Sequence, residues 1–320
     1  MIPVCDRTVR GSVNMVDIHR KESWVSVSGK WTRMSVIVVI FFIPGNPGND
    51  GLYVEFGRRL VRNLVAREER LGDRKLQYLF YTISNLNHVL LPPLLRDDAG
   101  QKFDERFSLS DQVQHKLDFA REYLPRGLRV YMIGHSIGSY MLLSILPYIK
   151  DDFNLKKSVC LFPRLERVSE SPHGIRLKKV ISTLTTNDWL AKSISFWLDV
   201  LPERTKRWLI RVNLTHDRTS PEILNAISEI MHMHIFRNII RLFNDELENL
   251  GPLDENLLFH KEMIYFYYGT NDGWCPLVLG ENMKKKMSRG HVIIDDSGIE
   301  HAFVLRDSGL MAEKMLQFIV

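Results

Sequence analysis

Ser136, Asp272 and His301 are the residues of this 320-residue chain whose types, order and settings suit nucleophilic chemistry. Gly134-His-Ser-Ile-Gly138 follows the apolar run Leu128 to Ile133 and precedes the helix-like stretch Ser139 to Ile149. A Gly-x-Ser-x-Gly at a strand-to-helix turn forces the serine into strained backbone geometry that only small neighbours allow. The turn lifts the hydroxyl clear of the sheet and aims the next helix N-terminus at it. The flanking strand and helix, more than the bare pattern, single out Ser136 as the candidate nucleophile, with Gly134 and Gly138 as the elbow glycines.

Such a serine needs a base to take its proton and a carboxylate to orient that base, on loops after later strands in the order Ser, acid, His. Asp272 lies in a turn-forming loop, Gly269 to Trp274, after the strand-like Met263 to Tyr268. His301 lies in the loop Ser297 to Phe303 after the strand-like His291 to Ile294. Taken singly, Asp272 reads as a turn residue and His301 as a helix-start histidine; together their order and strand context read as a triad. Asp295 and Asp296 are alternative acids, less well placed because they directly precede the base loop. His135 reads as a packing and hydrogen-bonding member of the elbow.

An oxyanion hole takes one amide from the residue after the nucleophile, here Ile137, and one from the loop after an early strand. Pro44-Gly-Asn-Pro-Gly48 follows the apolar Val36 to Ile43, and Gly45 lets that backbone approach a substrate. Pro47 has no amide hydrogen, which leaves the backbone N–H of Asn46. The alternatives are a plain proline-glycine turn and an Asn46 side-chain amide pointing into the pocket. The chemistry requires no organic cofactor. No metal is expected either: His-x-x-x-His and clustered Cys/His sets are missing from the sequence, and His232 and His234 fall on different faces of a helical pattern.

The elements that must position these groups alternate in type. Trp24 to Val27, Val36 to Ile43, Leu76 to Ile83, Leu128 to Ile133 and Ser158 to Phe162 read as strands, with helical patterns over Leu52 to Val65, Leu109 to Tyr123 (opened by Ser110) and Ser139 to Tyr148. This rhythm predicts an α/β architecture with a right-handed, mostly parallel central sheet flanked by helices. From Leu165 to His260 the patterns are helical. The rhythm then resumes with Met263 to Tyr268, His291 to Ile294 and a closing helix near Met311 to Phe318. The expected organisation is an N-terminal extension (1–22), an α/β core (23–163 and 261–320) and a helical cap insertion (164–260).

With 45% hydrophobic and 25% charged residues, the chain can bury a large core, and disorder is not expected. Cys5, Cys160 and Cys275 are odd in number and widely spaced, which argues for a reducing compartment over a disulfide framework. The first thirty residues lack the apolar core of a secretory signal, and the longest apolar run is under half of the roughly 20 residues a spanning helix needs. The chain is thus expected not to be secreted, and any membrane contact to be peripheral or a shallow hairpin. The net charge of +5 is modest; Lys284 to Lys286 read as a solvated face, and without aromatic-basic interleaving nucleic acid is not an expected partner.

The cap pattern bears on substrate. Asn187 to Leu201 carries an apolar surface wider than one buried stripe needs, and Arg204, Lys206, Arg207 and Arg211 follow Pro202 around Trp208. Tryptophans beside arginines suit a lipid interface, with rings at headgroup level and cations towards phosphate. Trp189, Trp197 and Trp208 are the candidate membrane contacts, against the alternative that these helices simply pack on the core.

Phe42-Ile-Pro-Gly-Asn-Pro-Gly48, Gly134-His-Ser-Ile-Gly-Ser-Tyr140, Leu161-Phe-Pro, Ser169-Glu-Ser-Pro-His-Gly174 and Phe266-Tyr-Tyr-Gly-Thr-Asn-Asp-Gly-Trp-Cys-Pro276 resemble the lipid droplet-associated hydrolases. The resemblance runs from about Trp24 to the C-terminus; Met1 to Glu22 departs from it. It implies an α/β-hydrolase fold, association with the lipid droplet and the cytosolic face of the endoplasmic reticulum, and hydrolysis of sterol or other lipid esters. The family's nucleophile, acid and base fall on Ser136, Asp272 and His301. Two functions are therefore expected to compete: a lipid-ester hydrolase, and a droplet-organising protein with little turnover. Haloalkane dehalogenases share a similar Gly-Asn-Pro, but they use an aspartate nucleophile where this chain has Ser136.

Overall fold

The computed structural model describes residues 21–27, 29–36, 40–71, 78–92, 95, 105–126, 128–213 and 220–319. The expected N-terminal extension, Cys5 within it, lies outside these residues up to residue 20; so do 37–39 of the strand expected over Val36 to Ile43, and 76 and 77 of the one expected from Leu76.

At the centre lies a strand of four residues, all of them apolar. Ile40–Ile43 (β3) reads Ile-Phe-Phe-Ile, and all four side chains are buried. Burying a side chain of this size contributes about 1.5–3 kcal/mol, so a strand of four residues suffices where both faces are covered. Phe41 and Ile43 join Val130, Met132, Cys160, Phe266 and Tyr268 in one core. Ile40 and Phe42 join Tyr131, Ile133, Val159, Leu161 and Tyr267 in the other. The alternation is that of a pleated strand between two helix layers.

The eight strands among the described residues are ordered β1-β2-β4-β3-β5-β6-β7-β8. Lys21–Val27 (β1) and Lys30–Val36 (β2) form an antiparallel pair, and β2 pairs antiparallel with Phe80–Ile83 (β4). From β4 onward, β3, Arg129–His135 (β5), Asn154–Leu161 (β6), Ile264–Gly269 (β7) and Val292–Asp295 (β8) run parallel. The helices Val54–Leu71 (α1) and Ser308–Met315 (α10) place Phe56, Leu60, Leu64, Met311 and Met315 on one face. Leu109–Tyr123 (α2), Ile137–Ile149 (α3) and Leu277–Lys286 (α9) cover the other.

Two local expectations are corrected. The apolar run read as one strand over Val36 to Ile43 belongs to two: β2 ends at Val36, β3 starts at Ile40, and β4 lies between them in the sheet. Apolar continuity masked the change of strand, because Lys30–Val36 mixes charged, polar and apolar residues. Helix α2 is opened by Ser108, not Ser110: Ser108 accepts from the Asp111 amide at 3.2 Å, and Asp111 accepts from the Ser108 amide at 2.7 Å, a reciprocal capping box.

Between β6 and β7 the chain forms Pro172–Thr186 (α4), Asp188–Val200 (α5), Glu203–Asn213 (α6), Pro221–Ile230 (α7) and Met233–Asn249 (α8). Helix α8 is the one that reaches deepest, placing Leu242, Phe243 and Leu247 in the core on the side of α2 and α3.

Candidate active site

Ser136 closes β5, with φ 54° and ψ −124°, a region costly to a residue with a Cβ. Its amide donates to the Leu161 carbonyl at 2.9 Å, across the end of β6. The turn is tight enough to dictate the flanking residues. A Cβ on Gly138 would stand 2.3 Å from the Ile43 carbonyl oxygen, and one on Gly134 would stand 2.5 Å from the Gly138 carbonyl oxygen. Gly45, facing the elbow from the loop after β3, would bring its Cβ to 3.0 Å from that of Ser136.

The loops after β7 and β8 converge on this hydroxyl. His301 Nε2 lies 2.9 Å from Ser136 Oγ, and His301 Nδ1 lies 2.7 Å from Asp272 Oδ2. A carboxylate accepts only, so Nδ1 carries the proton and Nε2 is left to accept from the serine. Asp272 Oδ1 accepts from the amides of Trp274 at 2.7 Å and Cys275 at 3.1 Å. Burial would raise this carboxyl, but the His301 imidazole and the two amides outweigh it and hold the group below its usual range. The other acids considered stand elsewhere: Asp295 pairs with Lys314 at 2.7 Å and Asp296 is exposed.

A second chain of hydrogen bonds braces these loops. The Gly45 amide donates to the Tyr53 hydroxyl at 3.0 Å, and that hydroxyl lies 2.8 Å from His135 Nδ1. His135 Nε2 lies 2.9 Å from the His301 carbonyl oxygen. That oxygen only accepts, so Nε2 bears the hydrogen and Nδ1 accepts from Tyr53. Burial, then the neighbouring His301, push His135 down to about 3, keeping it neutral and fixed in this tautomer. Tyr53, on the turn before α1, has no signature in the sequence beyond an aromatic among apolar neighbours.

Asn46 turns its side chain away from Ser136. Its Nδ2 donates to the Ile239 carbonyl and to Glu246 Oε1, both at 3.1 Å and both on α8. The expectation that this amide could enter the pocket is thus corrected. The backbone amides of Asn46 and Ile137 make no hydrogen bond among the described residues. The loop carrying Asn46 is held from its other side by Asn85, whose Nδ2 donates to the Gly45 carbonyl at 3.0 Å, and by His88, whose Nδ1 accepts from Gly48 at 3.0 Å.

Asp272, Cys275 and His301 present metal-capable atoms within 4.8 Å of one another, a grouping that sequence spacing concealed. The donor chemistry does not suit an ion. Burial, and then Asp272, hold the Cys275 thiol protonated, and it donates to the Phe162 carbonyl at 3.1 Å and the Pro163 carbonyl at 3.3 Å. A thiol is a far poorer ligand than a thiolate, and the other two groups are engaged with each other.

Helices α5 and α6 invert the usual exposure. Trp189, Trp197 and Trp208 are 76%, 67% and 61% exposed. Lys206, read from sequence with the surface arginines, is instead buried, its Nζ 3.4 Å from Glu203 Oε1. Ile175 and Val180 on α4, Phe196 and Val200 on α5, and Val212 on α6 are also exposed. Among the described residues, no helix is long and apolar enough to cross a membrane.

Residues 37–304 match the family model described as lipid-droplet associated hydrolase. The lipid droplet-associated hydrolase of Homo sapiens is 30% identical over 311 residues, covering 91% of this chain and 90% of the relative. That of Drosophila melanogaster is 28% identical over 303 residues, covering 93% and 94%. An α/β-hydrolase fold protein from Burkholderia ambifaria superposes with a TM-score of 0.58 at 12% identity, covering 95% of this chain and 99% of that one; at this identity the likeness shows the fold alone.

Proposed function

Because this chain belongs to the lipid-droplet associated hydrolase family, we propose that Ser136, His301 and Asp272 catalyse hydrolysis of lipid esters, of the sterol ester or acylglycerol type, at the droplet surface. The observation that carries the reading is the unbroken relay, 2.9 Å from Ser136 to His301 and 2.7 Å from His301 to Asp272. His301 takes the serine proton as Oγ attacks the ester carbonyl. The amides of Asn46 and Ile137 receive the charge that develops on the carbonyl oxygen. His301 then protonates the leaving alcohol, and water resolves the acyl-enzyme by the same steps. Preorganised amides suit this task because they need not reorient as charge appears.

The test is fatty acid release by the purified protein from phospholipid-coated emulsions of cholesteryl oleate and of trioleoylglycerol, with fluorophosphonate labelling of the same preparation. Release from either emulsion supports the reading and names the preferred class. The absence of both release and labelling in a folded protein would overturn it in favour of a droplet-organising role.

The exposed apolar side chains of α4 to α6 are where this reading places the lipid monolayer. A water-facing tryptophan forfeits burial, whereas one at headgroup level recovers it. Changing Trp189, Trp197 and Trp208 together to serine is expected to lower the droplet-bound fraction in a flotation assay several-fold, while turnover of a soluble short-chain ester stays near wild type. Unchanged flotation by a folded triple variant would move the contact elsewhere.

A further inference from the structure

The residue that grips Asn46 is itself unusual. Glu246 ends the polar run Asn244-Asp245-Glu246 on α8 and is fully buried. Its Oε2 is 2.8 Å from Arg164 Nη1, and Arg164, its side chain 2% exposed, lies three residues beyond the end of β6. The Arg164 guanidinium stands 4.5 Å from the ring centroid of Trp274 and 4.8 Å from that of Phe243. Its backbone amide donates to the Ser136 carbonyl at 3.2 Å. Trp274 is the residue whose own amide binds Asp272.

One buried ion pair therefore touches the loop carrying Asn46, the elbow carrying Ser136 and the loop carrying Asp272, and its acidic member belongs to the helical segment between β6 and β7. Burying two charges is expensive, and a pair of apolar side chains would commonly be at least as stable. Stability is therefore a weak reason for placing a carboxylate here. The geometry supplies another: both hydrogens of the Asn46 amide are taken up by α8, through Ile239 and Glu246, which fixes the rotation of the residue whose backbone N–H is here read as an oxyanion donor.

Resting on the reading of Ser136 as nucleophile and the Asn46 amide as oxyanion donor, we propose that Glu246, backed by Arg164, is a positioning residue through which α8 aims the Asn46 amide. Displacing a reacting group or donor by about 1 Å costs on the order of a hundredfold in rate, and loss of one oxyanion donor costs about 10²–10³-fold. A loosened Asn46 should lie between no effect and that limit.

The experiment is a mutant cycle read by kcat and KM on p-nitrophenyl butyrate. Arg164→Met/Glu246→Met removes both charges at similar volume and leaves neither orphaned; it is expected to keep a wild-type melting temperature, lower kcat by about ten- to a hundredfold and move KM less than twofold. Arg164→Met/Glu246→Gln restores an acceptor for Asn46 and is expected to recover most of that loss. Asn46→Ala, which keeps its backbone N–H, should lower kcat to a similar extent, and adding the Met pair to it should cost nothing further. Full additivity, wild-type kcat in the Met pair, or wild-type kcat in Asn46→Ala would each overturn the proposal; the last needs no folding of the charge-removed variants. Failure of Ser136-dependent labelling in the wild type would instead strike the underlying hydrolase reading.

Discussion

Ser136→Ala is expected to abolish fluorophosphonate labelling and to lower ester turnover on the order of a millionfold in kcat, the scale seen when a serine protease loses its nucleophile. The structure makes this a clean comparison. Among the described residues the Ser136 hydroxyl is hydrogen-bonded to His301 at 2.9 Å, and the turn itself is held by backbone, through the Ser136 amide on Leu161 and the Ser136 carbonyl on Ser139 and Arg164. Alanine keeps the Cβ and the same backbone demand, so the variant should melt within a few degrees of wild type. Labelling that persists in a folded Ser136→Ala protein would mean that another nucleophile carries the reaction. Residual turnover from the oxyanion amides and binding alone should remain about 10³–10⁴-fold above the uncatalysed rate.

Asp272→Asn is expected to cost about 10⁴-fold in kcat while leaving the fold and substrate affinity nearly intact. The reason lies in how the two carboxylate oxygens are used. Oδ1 accepts from the Trp274 and Cys275 amides, and Oδ2 accepts from His301 Nδ1. An asparagine has one oxygen, and the two amides claim it. Its NH₂ then faces His301 Nδ1 and must donate, which moves the imidazole hydrogen to Nε2, where it points at the serine it should deprotonate. The wrong tautomer is thus imposed by the Trp274 and Cys275 amides. Stopped-time assays with p-nitrophenyl butyrate on the purified variant check this, with a loss under tenfold as the outcome that would remove Asp272 from the role. Asp295→Asn is the control: paired with Lys314 and hydrogen-bonded to Ser297, it should leave kcat within about twofold, as a substitution remote from the reacting atoms does.

How much of this was legible beforehand differs by element. The Gly-x-Ser-x-Gly turn could be read because its demands are local: a strand, a serine and two residues without side chains, all between Leu128 and Gly138. The buried parallel strands were legible from composition, since a strand covered on both faces must be apolar throughout. β2 was missed because a strand nearer the sheet edge carries a mixed pattern, and the helix start at Ser108 was displaced by a second serine two residues on. Arg164, Glu246 and Tyr53 were invisible for a different reason. Their roles depend on partners up to about two hundred residues away, and no local spacing marks a buried arginine facing a buried glutamate.

The chain order of serine, acid and histidine, each behind an apolar run, was sufficient by itself to nominate Ser136, Asp272 and His301, because a parallel sheet gathers the loops that follow its strands at one edge. Which oxygen of Asp272 meets which donor, which tautomer His135 holds, and that Asn46 gives its side chain to α8 while its backbone stays free were decided only by tertiary structure. Hydrogen bonds fix those choices at ångström scale between segments distant in sequence, and a one-dimensional pattern carries the periodicity of elements but not the angles at which their loops meet.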